Sequence, residues 1–553
     1  MIPHPTPGMT LATHSPGPRR IALLAAAALL ALAPALGHAA SHRLSEGLPF
    51  SDVGAFELSP DGRFVVYRHD AVVDNAREVW SVPVVGGDPV RLSGLLAADS
   101  ALAEFAIAPD SQTVVYSAPQ DAVFTRELYS TPIAGPEGSW TRLNPALVTG
   151  GSVRFFEIAP GSDRVVFVAD VQTDGIDDVW SVPIGGGTAI RLRPAITLVG
   201  SGVSVSPAPP RISPDGQRVV FRANFSDLAT LELWSARLDG TGSVVKLNAP
   251  LAVGGDLTSF AISPDGSRVV YIADQAIDGS FTLYSVPITG GTPTRLSAAV
   301  IPSGGDVLEF AVSPDGSRVV YRADHSVDTR DELYSVPLAG GTPTKLNGVI
   351  VPADGDVGSF GISPDSSRVV YRADQQANDV FEIYSAPLSG GGAVRLNGVM
   401  SPDGDVESSR ISPDSTRVVY LADQQTAHTH ELYSVPLAGG VAVRVSDPLV
   451  PGGNVADYAI TPDSDFVVYR ADRDAADRYE LFRGSILGGA GGDVRLNGDQ
   501  APGGGVLWFL LHPDGHQVIF VAAQEEALRF DLYVGDPCIL CDGFEAGDLR
   551  RWP

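Results

Sequence analysis

The sequence predicts an all-β fold, a β-propeller of four-stranded antiparallel blades, on three observations. A segment of the form Ser263-Pro-Asp-Gly-Ser-Arg-Val-Val-Tyr271 recurs ten times, its proline falling at 60, 109, 160, 214, 264, 314, 364, 413, 462 and 513. A second segment, Glu332-Leu-Tyr-Ser-Val-Pro-Leu-Ala-Gly-Gly341, follows with small changes, so the period is about 50 residues. Helical periodicity is missing beyond the first forty residues. Units of this length cannot bury their apolar faces alone and are stable only when stacked.

Each unit reads as four short strands. The first, as in residues 306–313, runs into a Pro-Asp-Gly turn, where Pro presets φ and Gly allows it to be positive. The second, residues 318–324, is rich in β-branched and aromatic side chains on both faces, as a sheet packed between two other sheets requires. A polar loop leads to the third strand, residues 332–337, which ends at Gly340-Gly341 before the outer strand at 343–346. The tenth unit has its first three strands (505–512, 517–522 and 530–534) but no text for an outer one. Near the N-terminus, His42-Arg43-Leu44-Ser45 matches the outer-strand text Thr294-Arg295-Leu296-Ser297. The match predicts one ten-bladed ring whose last blade is completed by the N-terminal strand, leaving no open edge. Ten exceeds the usual four to eight blades, so two fused propellers are the alternative. Within blades, Arg68/Glu78, Arg222/Glu232, Arg322/Glu332, Arg372/Glu382 and Arg470/Glu480 recur ten residues apart and are expected to form cross-strand ion pairs.

Three segments are expected: 1–40 as a signal peptide, 41–536 as the propeller and 537–553 as a tail. Arg19-Arg20, an apolar run from Ile21 and the small residues Gly37-His38-Ala39-Ala40 form the pattern of a cleaved secretory signal. The run is shorter than the roughly 20 residues that span a bilayer, and no later stretch is long and apolar enough. The mature chain is therefore expected to be periplasmic or secreted, monomeric and without a membrane span. With 65 acidic against 38 basic residues the formal charge is −27, and there are only two lysines, Lys246 and Lys345. Phosphate binding needs clustered cations, so nucleic acid is excluded as a partner. Cys538 and Cys541 are the only cysteines, and in an oxidising compartment they are expected to form a local disulfide in the tail.

Ser-Pro-Asp-Gly, a Val-Val-Tyr strand and Leu-Tyr-Ser-Val-Pro together resemble the WD40-like (PD40) repeat of the periplasmic protein TolB, over residues 42 to 535. The resemblance implies a propeller of the kind used as a binding platform or attached to a peptidase. TolB also carries an α/β domain ahead of its propeller, and no such text precedes the repeats here.

Loops from second to third strand, and from outer strand to the next blade, share one face. The inter-blade loops carry Asp256, Asp306, Asp356 and Asp405 after a glycine, with Asn454 at the same place in blade nine. The intra-blade loops begin with Asp170, Asp274, Asp324, Asp374, Asp423 and Asp472. Asp beside Gly caps turns; a ring of carboxylates also focuses potential on a cation or a basic partner. Calcium is the chemically matched ion, although no loop has EF-hand spacing. His428 and His430 share a loop and are the candidate metal ligands. A Gly-x-Ser-x-Gly elbow is absent. The expectation is a non-enzymatic exported platform, without a resident cofactor, that recognises a protein or envelope glycan through the acidic face or the central channel. A carbohydrate-active enzyme with its site in the same funnel is the alternative.

Overall fold

The computed structural model describes residues 41–45, 53–70, 76–97, 104–122, 124–194, 200–204, 208–226, 228–298, 305–325, 327, 329–352, 354–489, 491–526 and 529–535. The signal segment and the tail with Cys538 and Cys541 lie outside them. Every regular element among the described residues is a β-strand, and the strands form ten antiparallel sheets. Blade six is typical: Val307–Val312, Arg318–Ala323, Glu332–Pro337 and Thr344–Lys345 pair in that order from the inside outward. Blade four departs, because its inner strand is split into Val203–Ser204 and Arg211–Ile212, both paired with Arg218–Ala223.

Side chains of the second and third strands point alternately to the two neighbouring blades and are buried on both faces. Opposed aromatics on these strands stack, with Tyr321 and Tyr334 centroids 5.4 Å apart and Tyr371 and Tyr384 the same. The core is divided into ten apolar clusters, one at each junction between blades. At one of these junctions Val320, Leu333 and Leu346 of blade six meet Val369, Tyr371 and Tyr384 of blade seven.

The tenth junction closes the circle. Ser41–Arg43 is the outer strand of blade ten, with Ser41, His42 and Arg43 opposite Gly535, Val534 and Tyr533. Leu44, Val53, Val65 and Tyr67 then pack on Ile519, Val521 and Leu532. The molecule is one ten-bladed ring, and the two-ring alternative is excluded.

Turn chemistry ties neighbours together on the face opposite the loops. In blade six the Ser313 hydroxyl donates to Asp315 Oδ1 (2.6 Å) and accepts from the Arg318 N–H (3.0 Å), while Gly316 takes φ 70°. Where the glycine is replaced, serine holds the left-handed conformation and reaches the preceding blade. Ser366 (φ 60°) accepts the Asp315 N–H at 3.0 Å, and Ser111, Ser162, Ser415 and Ser464 accept in the same way. In blade one Gly62 is compulsory for a different reason. A Cβ there would stand 2.2 Å from His512 Nε2 of blade ten, which lies 2.9 Å from the Gly62 carbonyl.

The structure corrects the expected arginine–glutamate pairs. Arg322 lies opposite Leu333, and Glu332 lies opposite Ala323, so the two charges project from opposite faces of the sheet. Arg322 turns instead to Glu309 on the inner strand (3.0 Å) and to Asp331. Glu332 is buried with Lys345 of the outer strand and the Tyr334 hydroxyl, which donates at 2.6 Å. The outer-strand cation is the recurrent partner, as in Glu382–Arg395 (2.8 Å), Glu431–Arg444 (2.8 Å) and Glu480–Arg495 (2.9 Å).

Candidate functional site: the loop face and channel wall

The loop face is held by buried carboxylates. Asp274, Asp374, Asp423 and Asp472 are no more than 4% exposed, and each caps backbone N–H groups from two loops. Asp374 Oδ1 accepts from Asp356 N (2.5 Å) and Oδ2 from Asp379 N (3.2 Å). Asp423 accepts from Asp405 N (2.5 Å) and His428 N (2.8 Å), and Asp274 from Asp256 N (2.5 Å) and Gly279 N (2.9 Å). Asp324 takes the N–H groups of Asp306 and Thr329, and Asp472 those of Asn454 and Asp477. Asp170 accepts from Ser152 N (2.6 Å) and Gly175 N (3.0 Å), with Arg154 at 3.2 Å. Burial opposes its charge, but these donors bring its pKa below the ordinary aspartate value.

The inter-blade acids reach backward. Asp306, Asp356 and Asp405 each accept, at 2.7 Å, the N–H that opens the third strand of the preceding blade: Phe281, Asp331 and Phe381. Asn454 does the same for His430 at 2.9 Å, which shows that an acceptor is required there and a charge is not. Asp256 is exposed at the corresponding place in blade five. The glycine before each acid leaves room for this clamp, since a Cβ on Gly255 would lie 2.8 Å from Asp274 Oδ1. Both sequence-predicted sets thus meet in one backbone network.

The outermost carboxylates are others. Asp278, Asp354, Asp379 and Asp403 are exposed at the loop tips. Repetition did not mark them, because their positions shift from blade to blade. His428 is exposed in a left-handed conformation and His430 is half-buried. No group of three or more His, Cys, Asp or Glu side chains among the described residues is arranged to hold a metal ion. His325 is buried between the rings of Tyr321 and Tyr334, and burial lowers its pKa.

On the inner strands, which line the central channel, one acid stands out. Glu157 of Val153–Ile158 occupies a register place that varies between blades, holding Ala106, Ala261 and Ala311 in three of them and Glu57, Arg211 and Arg410 in three others. One oxygen accepts from Ile212 N at 3.4 Å, and the other is buried without a partner among the described residues. Burial pushes its pKa up to about 7 against the opposing pull of Arg211. The place varies from blade to blade, so the repeat carried no signal for it. Trp508 and Leu510 of blade ten face the same channel, 36% and 38% exposed.

No protein family and no curated protein matches the chain. Solved structures do resemble it. An oligogalacturonate lyase in complex with manganese is 14% identical, with 59% of this chain and 87% of that chain covered and a TM-score of 0.33. A TolB-type protein from Agrobacterium tumefaciens is 20% identical over 42% of this chain and 78% of that chain, at a TM-score of 0.25. A prolyl endopeptidase is 14% identical over 68% of this chain, at a TM-score of 0.36, and this chain spans 55% of its length. Two of these three are enzymes, which corrects the expectation that the chain is not an enzyme. The propeller is shared with enzymes and does not separate binding from catalysis.

No helix among the described residues is long and apolar enough to cross a membrane.

Proposed function

We propose that the chain is an exported, PD40-type propeller that serves as a recognition platform, with a protein or envelope-glycan ligand held over the acidic loop face and the mouth of the channel. The observation that carries this reading is the network of buried aspartates. Six intra-blade aspartates fix two loops each, so the face is organised before any ligand arrives and little ordering entropy remains for binding to overcome. Asp306, Asp356 and Asp405 set the positions of the loops, and Asp256 with the exposed acids around them makes the contacts. Calcium enters the proposal as a cation drawn to those exposed acids, with His428 and His430 beside them.

The test is capture of ligands from envelope extract by the mature chain, with and without calcium, beside a variant carrying Asp374→Ala and Asp423→Ala. The intact face is expected to retain a defined ligand that the loosened face loses; equal capture by both would overturn the reading. A second reading, a carbohydrate-active enzyme, is favoured by Glu157, an inner-strand carboxyl that burial pushes up to about 7, the range in which a general acid works. Turnover of a polysaccharide that Glu157→Gln abolishes would establish it.

A further inference from the structure

Exposed apolar side chains are spread over the molecule, and those in the loops of blades five, seven and eight stand among carboxylates. Val253, Ile277, Val349, Val351 and Val399 are 99%, 57%, 80%, 72% and 82% exposed, and all lie in loops of the loop face in blades five, seven and eight. They sit among the carboxylates. A Cβ on Gly254, next to Val253, would stand 3.0 Å from the Asp278 carboxylate. The Val351 N–H donates to the Gln375 carbonyl at 2.9 Å, which lays this loop on the one that carries Asp379. The Gly398 N–H donates to Gln424 at 2.8 Å and places Val399 beside the loop of blade eight.

The six loop segments involved (249–256, 274–281, 348–356, 374–381, 398–405 and 423–430) contain ten aspartates and no lysine or arginine. Arg330 of blade six reaches the Pro352 carbonyl at 3.4 Å beside them, and the exposed acids Asp256, Asp278, Asp354, Asp379 and Asp403 leave the field negative. An aliphatic surface in such a field is complementary to one kind of partner. Valines add nothing to the binding of a metal ion, and an anionic lipid surface would be repelled. β-Branched side chains are already stiff, so packing against a polypeptide costs them little entropy.

We infer that the loop face of blades five, seven and eight binds a basic polypeptide segment in which lysine or arginine alternates with aliphatic residues. This rests on the platform reading above and names its partner class. The carboxylates would take the cations, and Val253, Val349 and Val399 the apolar side chains between them.

The experiment uses the full mature chain and a labelled dodecapeptide alternating Lys and Leu, followed by fluorescence anisotropy. Controls are a Lys/Ser peptide, a Glu/Leu peptide and soluble envelope polysaccharide. The Lys/Leu peptide is expected to bind, and Val253→Ser/Val349→Ser/Val399→Ser to weaken it about tenfold. Asp278→Asn/Asp354→Asn/Asp403→Asn is expected to weaken it and to flatten its salt dependence. Val85→Ser/Val441→Ser on the opposite face should leave binding unchanged. These exposed positions tolerate substitution, and circular dichroism verifies the fold of each variant. Binding of the Lys/Ser peptide as tightly as Lys/Leu, or indifference to the three valines, overturns the inference. Polysaccharide binding without peptide binding also overturns it and leaves the platform standing, whereas loss of both together with an empty capture removes the platform.

Discussion

Removing the leucine that seals the ring should cost as much as removing its counterpart inside an unbroken blade. Leu44 follows the strand Ser41–Arg43 and is 3% exposed in the junction between blades ten and one. Its N–H donates to the Leu532 carbonyl at 2.7 Å, and next to it the Ser45 hydroxyl donates to Asp531 Oδ1 at 2.9 Å. Leu296 holds the same place in blade five and is fully buried. Truncating a buried leucine to alanine costs about 2–5 kcal/mol through lost transfer energy and the cavity left behind. Ser45→Ala would leave the buried Asp531 short of a donor and cost about 1–3 kcal/mol more. The assay is urea unfolding followed by tryptophan fluorescence, comparing Leu44→Ala, Leu296→Ala and the double Leu44→Ala/Ser45→Ala. If the strand is integral, Leu44→Ala and Leu296→Ala lower the unfolding free energy alike. A midpoint unmoved by Leu44→Ala beside a large loss in Leu296→Ala would refute the reasoning, because the N-terminal strand would then be detaching outside the cooperative unit.

Two buried titrating groups predict opposite pH responses. Burial lowers His69 from 6.5 to about 4, so the unfolded chain takes up a proton first and stability falls as pH drops from 6.5 towards 4. At about 1.4 kcal/mol per pH unit this approaches 3 kcal/mol, and His69→Ala, the residue present in the other nine blades, should abolish the slope. Glu157 is raised from 4.5 to about 7, so its contribution falls as pH rises through that interval. Glu157→Gln should flatten stability there by up to about 3 kcal/mol, less whatever water at its half-buried edge screens; unchanged pH profiles in either variant would contradict the assignment. Asp374→Ala orphans two loop N–H groups and should cost about 2–4 kcal/mol, with new protease cleavage between 351 and 380, whereas Asp374→Asn should cost less. Ser366→Ala keeps the left-handed backbone and loses the bond from Asp315, costing about 1 kcal/mol, while Ser366→Gly also relieves about 1 kcal/mol of strain and should be near neutral. A neutral alanine variant beside a destabilised glycine variant would reverse that accounting.

Blade number, strand order and closure were legible because the same text recurs ten times and its missing outer strand turns up at residues 42–45. Charge pairing was not legible. Arg322 and Glu332 are ten apart, but the hairpin register sets Arg322 against Leu333, and that parity depends on loop geometry the spacing does not display. The aspartates at 274, 324, 374 and 423 were visible as positions, not as roles. A carboxylate capping two loops and one waiting for a ligand are both written as a loop aspartate, and only burial separates them. Glu157 escaped notice for the converse reason: repeats draw attention to what recurs, and its place on the inner strand varies from blade to blade, with Glu57, Arg211 and Arg410 there as well as alanines.

The strand at Ser41–Arg43 also sets the order of assembly. Its partner chain is 486 residues away at the Ser45–Asp531 contact, whereas other strands find their neighbours within their own unit. Closing so long a loop comes late, since its entropy must be met before the contact returns anything. A chain crossing a membrane from its N-terminus would therefore stay an open arc, its first strand waiting unpaired, until the last blade had emerged.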